Sequence, residues 1–338
     1  MLETTNNYFF LYAIITSLIS FFTVYFLTPI SIKILVKQGK VVQDYHKAGK
    51  PKIPRPAGPV LILGLSVSLL VLFVFTYDIR LIAILLTTVI AFVIGYVDDR
   101  RVMPGWFKPL SLIFASLPLL FFGSHGTNLN LIFGDAFIPL LYIPLILIAI
   151  PIIGNTINSI DVLNGVATGF ILISMIPLMI SIYLFGTFEI FIASLIFFFA
   201  ILALYKYHKF PSKIFPGDSG TLVMGSMFGA LAIAGNSEII AIISLLPAVL
   251  NSFLFLASVK KIVEHREINS RPTILLDDLR LAASKDKKAP TTLLRLILAD
   301  GALTENEIIK KIFKLAIFSS FLAIISIAIQ YYFVVLVK

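Results

Sequence analysis

Residues 136–165 read AFIPLLYIPLILIAIPIIGNTINSIDVLNG. Positions 136–154 form an apolar run close to the roughly 20 residues that an α-helix needs to cross a bilayer core. Asn155, Asn158, Asp161 and Asn164 then follow at intervals of three, where such a segment should be ending. On a continuing helix each step of three drifts by about 60°, so the four sweep about half a turn over about 13.5 Å and line one side of a shallow cleft. Asn is a poor residue inside a helix, and amides and a carboxylate at a membrane boundary are costly unless they bind something. The competing reading is a polar loop that caps two helices, helped by Gly165 and Gly169.

The rest of the chain sets the context. With 338 residues, 59% of them hydrophobic and 13% charged, and a mean hydropathy of +1.00, the composition excludes a soluble domain. Apolar windows occur at about 8–28, 59–77, 80–97, 108–123, 136–154, 165–185, 188–206, 219–235, 237–259 and 312–335. The expected fold is an all-α polytopic membrane protein of about ten transmembrane helices, a single domain over 1–338 with a long loop at about 261–311. The fourth window is short and the eighth is rich in Gly and Ala. No basic residue precedes the first window, so that run is expected to remain as a helix rather than be cleaved. Cysteine is absent, which excludes disulfides, zinc–thiolate sites and a Cys nucleophile.

The net charge of +9 is placed unevenly. Every Lys and Arg except Arg80 and Lys338 falls in a loop that follows an odd-numbered window. The positive-inside rule therefore predicts cytoplasmic odd-numbered loops and N- and C-termini outside. Three more polar clusters fall on those loops or on the window ends beside them. VDDRR at 97–101 puts Asp98 and Asp99 side by side, which calls for a cation, a basic partner or water. FPGDSGTLVMG at 215–225 sets Asp218 between glycines, where it could cap a helix or meet a ligand. EHREINSRPT at 264–273 offers His265, Arg266 and Arg271, either as ordinary cytoplasmic charge or as phosphate contacts. Carboxylates, amides and basic groups on one membrane face suggest a divalent metal holding a polyphosphate, with a lipid partner entering from the bilayer.

These motifs, in this order, resemble the polyprenyl-phosphate N-acetylhexosamine-1-phosphate transferases. The likeness rests on DD at 98–99, N-x-x-N-x-x-D-x-x-N-G at 155–165, F-x-G-D-x-G at 215–220, His265-Arg266 and the DYHKAGKPKIPRPAGPV loop at 44–60. DDRRVMPGWFKPLSLIFASLPLL at 98–120, with Lys108, and TLLRLILADGALTENE at 292–307 are similar to the archaeal and eukaryotic branch, the UDP-N-acetylglucosamine–dolichyl-phosphate N-acetylglucosamine-phosphotransferases. Asn164 stands where the bacterial branch has Asp. Two positions depart from the archaeal and eukaryotic pattern: Asp161 matches the bacterial one, and Arg55 stands where the eukaryotic enzymes carry an acidic residue.

The resemblance implies transfer of N-acetylglucosamine-1-phosphate from UDP-N-acetylglucosamine to a polyprenyl, dolichyl-type phosphate, releasing UMP, as the first step of a lipid-linked glycan. It implies Mg²⁺, replaceable by Mn²⁺, on Asn158 and Asp218. Lys108 and Arg266 would hold the diphosphate with help from His265, and Asn164, Asn155 and Gly165 would lie near the uridine. Asp98, Asp99 and Asp218 are the expected catalytic carboxylates, the first two positioning or deprotonating the lipid phosphate and organising Lys108. The expected partners are the nucleotide sugar, the lipid phosphate and the membrane, with a homodimer as an assembly option and no nucleic acid. The expected location is a cell membrane in a prokaryote, or the endoplasmic reticulum in a eukaryote, with a cytoplasmic site. The competing enzyme is a bacterial-type transferase acting on undecaprenyl phosphate. The competing class is a secondary transporter, which intramembrane Asn and Asp would also suit.

Overall fold

Each of the ten apolar windows is mostly helical over its described residues. The computed structural model describes residues 2–47, 49–261, 268 and 270–333, with side chains from residue 10. The windows correspond in order to α1 (Leu2–Lys37), α2 (Gly58–Thr76), α3 (Ile79–Arg100), α4 (Phe107–Phe121), α5 (Pro139–Ile160), α6 (Val166–Phe185), α7 (Phe188–His208), α8 (Gly217–Ala234), the pair α9 (Glu238–Ser244) and α10 (Leu246–Val259), and, after a short α11 (Leu293–Ile297), α12 (Glu305–Tyr331).

Seven of these helices are long and apolar enough to cross a membrane. The α9–α10 pair, bent by 72°, makes an eighth if it counts as one span. Pro247 lies in the first turn of α10, where its missing N–H cannot continue the preceding helix. The ten windows thus correspond to helical segments, but seven or eight rather than ten qualify as spans among the described residues: α4, at 15 residues, is a shorter apolar helix, and α8 is not among the seven. For α8 the reason is its position. All of its residues are buried, so it faces other helices rather than lipid and can carry Gly, Ala and Ser instead of large apolar side chains. Peripheral helices do the opposite, presenting exposed Phe10, Phe22, Phe26, Ile148, Phe318 and Phe321 outward.

Small residues bring α3 and α5 onto α8. A Cβ on Gly95 of α3 would lie 2.5 Å from the Ser219 Cα, and one on Gly225 of α8 would lie 2.7 Å from the Gly154 Cα of α5. Neither approach leaves room for a side chain, so these glycines set the spacing of the three helices that meet at the site.

Helix ends differ from the apolar windows in an informative way. The α3 helix runs to Arg100 and takes in Asp98 and Asp99; α5 runs to Ile160 and takes in Asn155 and Asn158; α8 starts at Gly217, so Asp218 sits in its first turn. Polar residues are thereby held on rigid helical backbone instead of loops.

Between the helices lie three two-stranded antiparallel hairpins, none visible as apolar periodicity. β1 (Val41–Gln43) pairs with β2 (Lys52–Pro54), Val42 opposite Ile53. β3 (Asn128–Leu131) pairs with β4 (Gly134–Phe137) at the other end of the bundle, where the Asn130 amide donates to the Asn236 carbonyl at 3.1 Å. β5 (Thr273–Leu275) pairs with β6 (Leu281–Ala283) in the long loop before α12. The β1–β2 hairpin is pinned to the entry of α8: Phe215 N–H donates to the Pro54 carbonyl, and Ala57 N–H to the Phe215 carbonyl, each at 3.0 Å.

Candidate active site

The last turn of α3 and the first turn of α8 make the floor of the site. Asp99 caps α8 from outside its own helix: Oδ1 accepts from Asp218 N–H at 2.9 Å, and Oδ2 accepts from Ser219 N–H at 2.9 Å and the Ser219 hydroxyl at 2.6 Å. These N–H groups have no partner within α8, so a carboxylate here satisfies them and the helix dipole together.

Asp218 then becomes a junction. Its Oδ1 accepts from Lys108 Nζ at 2.9 Å and from Asn158 Nδ2 at 2.8 Å, and its Oδ2 accepts from the Arg55 guanidinium, which also reaches Asp99 Oδ1 at 2.9 Å. Lys108, only 8% exposed, is held from its other side by Asp98 Oδ2 at 3.1 Å. Asp98 is spent on that ammonium and on the Met103 N–H at 3.0 Å, so it organises Lys108 as expected but does not line the cavity. Asn158 also donates to Thr221 Oγ1 at 2.7 Å. Both of its N–H bonds are used, and no described residue donates to its amide oxygen.

The cluster opens into a cavity of about 1370 Å³. Asp99, Lys108, Asn158, Asp218 and Arg55 form one side, while Leu27, Ile30 and Ile34 of α1 give it an apolar wall. Burial works against the Arg55 charge, but Asp218 and Asp99 raise its pKa above the usual guanidinium value, so it remains a fixed cation.

Of the four residues spaced by three, only two lie on α5, and they face differently. Asn158 meets α8, whereas the Asn155 amide donates to the Pro151 carbonyl of its own helix at 2.8 Å and does not line the cavity. A 60° drift is enough to separate them. Gly165 does not line it either. Its φ of 77° and the 2.8 Å that a Cβ would leave to the Lys209 Cα explain this glycine by backbone geometry alone. Neither of these two expected uridine neighbours is on the cavity wall.

Asn164 lines the cavity but is 2% exposed, and its polar atoms are engaged by protein. Its Oδ1 accepts from Lys47 Nζ at 2.5 Å and Ser212 N–H at 2.7 Å, Nδ2 donates to Asp44 Oδ2 at 3.1 Å, and its N–H donates to Glu305 Oε1 at 3.0 Å. It ties the 44–47 loop to α12 and to the segment after α7. Burial alone would raise the Asp44 carboxyl, yet bonds from Lys47 and Asn164 hold it below the usual carboxylate range. His46, beside it on the cavity wall, is held below the usual imidazole value, chiefly by burial.

Asp161 sits just past α5, with His208 Nε2 3.7 Å from its Oδ1. Burial pushes its carboxyl up to about 7; Arg55 opposes this and Asp218 adds to it. The last basic group on the cavity wall is Arg271, from the fourth motif; His265 and Arg266 lie outside the described residues. Sequence reasoning did not assign Arg55, Lys47, Asp44 or His208 to the site. The only signal for Asp44, Lys47 and Arg55 was the 44–60 loop resemblance, whose polar residues carry no spacing rule, and His208 had none.

Among the described residues no group of three or more His, Asp or Glu is arranged to hold a metal. The donor set nevertheless suits Mg²⁺, which takes one or two protein oxygens and fills its shell with water and substrate phosphates. Asp218 and the unengaged amide oxygen of Asn158 are such donors, and Asp98, Asp99, Asp161 and Asp218 outnumber Lys108 and Arg55 around them.

Comparison with known proteins agrees with the resemblance drawn from the motifs. Residues 81–236 match the family model described as glycosyl transferase family 4. A Saccharolobus solfataricus protein, provisionally named UDP-N-acetylglucosamine–dolichyl-phosphate N-acetylglucosaminephosphotransferase, is 29% identical over 86% of this chain and 89% of its own. The phospho-N-acetylmuramoyl-pentapeptide-transferase of Staphylococcus aureus (strain bovine RF122 / ET3-1) is 28% identical, and that of Staphylococcus epidermidis 29%, each over 68% of this chain and 77% of the relative.

Proposed function

We propose that this chain, whose residues 81–236 match the glycosyl transferase family 4 model, transfers N-acetylglucosamine-1-phosphate from UDP-N-acetylglucosamine to a polyprenyl phosphate of the dolichyl type, releasing UMP. The observation that carries the reading is the convergence of Lys108, Arg55, Asn158 and two aspartates on one cavity that also has an apolar wall. A lipid phosphate needs both, an apolar surface for its chain and cations for its head.

In the reaction an oxygen of the lipid phosphate attacks the β-phosphorus of the nucleotide sugar. The bond from that phosphorus to the α,β-bridging oxygen breaks, and UMP leaves. Two anions must be brought together, so fixed cations at the reacting centre contribute most of the rate. Lys108, locked between Asp98 and Asp218, is placed to hold the diphosphate. Asp99 fixes the α8 terminus and thereby Asp218. Asp218 and Asn158 would hold Mg²⁺, or Mn²⁺ in its place, which when bound neutralises phosphate oxygens. The lipid phosphate, with a second pKa of about 6, is already largely dianionic at pH 7, so no strong base is required. His265 and Arg266 would add to the diphosphate contacts. The site end of the bundle would face the cytoplasm, following the charge placement in the loops.

A specific observation keeps the undecaprenyl-phosphate acceptor as the second reading: Asp161, which follows the bacterial pattern, lines the cavity. Turnover with dolichyl-type against undecaprenyl phosphate separates the two. The reading as a whole is tested by purifying Asp218→Ala and Asn158→Ala and measuring Mg²⁺-dependent UMP release. Loss in both is expected; wild-type turnover in either would remove that residue from the metal.

A further inference from the structure

Both carboxylate oxygens of Asp218 are already bonded to protein N–H groups: Oδ1 to Lys108 and Asn158, and Oδ2 to Arg55. A cation that binds Asp218 has to displace at least one of them. The three donors are not equally held. Lys108 is fixed between Asp98 and Asp218, and its side chain is 9% exposed. Asn158 is fixed by Thr221 as well as Asp218. The Arg55 side chain is 25% exposed, against 9% for Lys108, and comes from a loop rather than a helix. Its backbone is anchored through its N–H to the Lys40 carbonyl at 3.1 Å, and its guanidinium meets Asp99 Oδ1, at 2.9 Å, through the same nitrogen that meets Asp218, so Asp99 can keep it near the site when Asp218 is given up. Its guanidinium has a long, flexible stem and the same cavity before it that the anionic substrate would enter.

We infer that Arg55 is a displaceable counter-cation: it neutralises Asp99 and Asp218 while no metal is bound, and gives up Asp218 to the metal and turns to phosphate oxygens of the nucleotide substrate. This assignment rests on the metal reading proposed above. Electrostatics favours the exchange in both directions. A guanidinium and a divalent cation on one carboxylate repel each other, whereas a diphosphate in the cavity offers Arg55 the bidentate partner that suits its planar fork. Metal and nucleotide therefore bind with positive coupling, because each arrival removes a competitor of the other. It also gives a role to an arginine at a position where an acidic residue would be expected.

The test is Mn²⁺ binding to the purified full chain, followed by the loss of the free-ion electron paramagnetic resonance signal, with and without UDP. In Arg55→Gln the competitor is gone, so Mn²⁺ alone should bind on the order of tenfold tighter than in wild type, the change that 1.4 kcal/mol produces. The further tightening caused by UDP should be smaller than in wild type, since Arg55 no longer contributes to it. Arg55→Lys keeps a charge without the fork and should fall between the two; it serves as the test if Arg55→Gln does not give a folded protein by thermal melting. Mn²⁺ binding that is equal or weaker in the variant overturns the Arg55 assignment alone. Absence of Mn²⁺ binding in both wild type and variant overturns the metal reading with it.

Discussion

Two polar clusters share one cavity and are built differently. Around Asp218, side chains from the loop after β2, α4 and α5 converge on one carboxylate, and the amide oxygen of Asn158 is left over. Around Asn164, Lys47, Asp44, Ser212 and Glu305 close a network in which its N–H, its amide oxygen and its amide nitrogen each have a protein partner. The first arrangement suits exchange of partners with a ligand, while the second suits holding a loop in place. One motif feeds both, since Asn158 of the first and Asn164 of the second belong to the same N-x-x-N-x-x-D-x-x-N-G.

Breaking the first cluster should cost activity far more than stability, and breaking the second should do the reverse. The largest effect is expected at Lys108. Lys108→Ala removes the ammonium between Asp98 and Asp218 and should lower UMP release by about 10²–10³, the range for losing one preorganised charge-stabilising donor. A drop under tenfold would show that this lysine does not touch the diphosphate. Next, Asn164→Ala leaves Lys47, Asp44 and the Ser212 N–H without their common partner. It should cost about 1–3 kcal/mol of stability, the penalty for stranding buried polar groups. Thermal melting checks this, and kcat should fall by much less than in Lys108→Ala. An Asn164 variant as stable as wild type but inactive would move Asn164 from the second cluster to the first.

The smallest effect concerns Asp161, between the clusters. Its carboxyl is raised from 3.8 to about 7, chiefly by burial. The folded chain therefore keeps a proton that the unfolded chain releases above 3.8, and the stability this gives is lost as pH rises towards and through 7. Asp161→Asn cannot ionise. Without metal, its melting temperature should exceed that of wild type by a margin that grows from pH 5 to pH 8. A pH-independent difference would mean that Asp161 is not strained by its ionisation.

Much of the fold can be read from the sequence because spanning helices depend on a local property, the length of an apolar run. Where the helices stop cannot be read that way. The polar last turns of α3 and α5 are helical and bonded to α8, a tertiary contact that leaves no trace in apolar periodicity. The same limit explains α8 itself, whose Gly and Ala content lowers its hydropathy for the very reason that places it at the centre. In the site, Asp98, Asp99, Asn158, Asp218 and Lys108 come together as their motifs suggested. Asn155 and Gly165, from the same motif, lie off the cavity wall, Asn155 bonded to the Pro151 carbonyl and Gly165 packed against Lys209. Arg55 was hidden for the opposite reason: it lies in a proline-bracketed loop, and only the tie between β2 and the entry of α8 carries it to Asp218.

The central claim is that this cavity joins a sugar phosphate to a polyprenyl phosphate. The most direct measurement is mass spectrometry of the lipid product after incubating the purified chain with UDP-N-acetylglucosamine, Mg²⁺ and a polyprenyl phosphate. The account predicts a polyprenyl diphosphate carrying one N-acetylhexosamine, formed in equal amount with UMP. UMP release without that lipid, or no turnover with any of several UDP-sugars and polyprenyl phosphates, would contradict it.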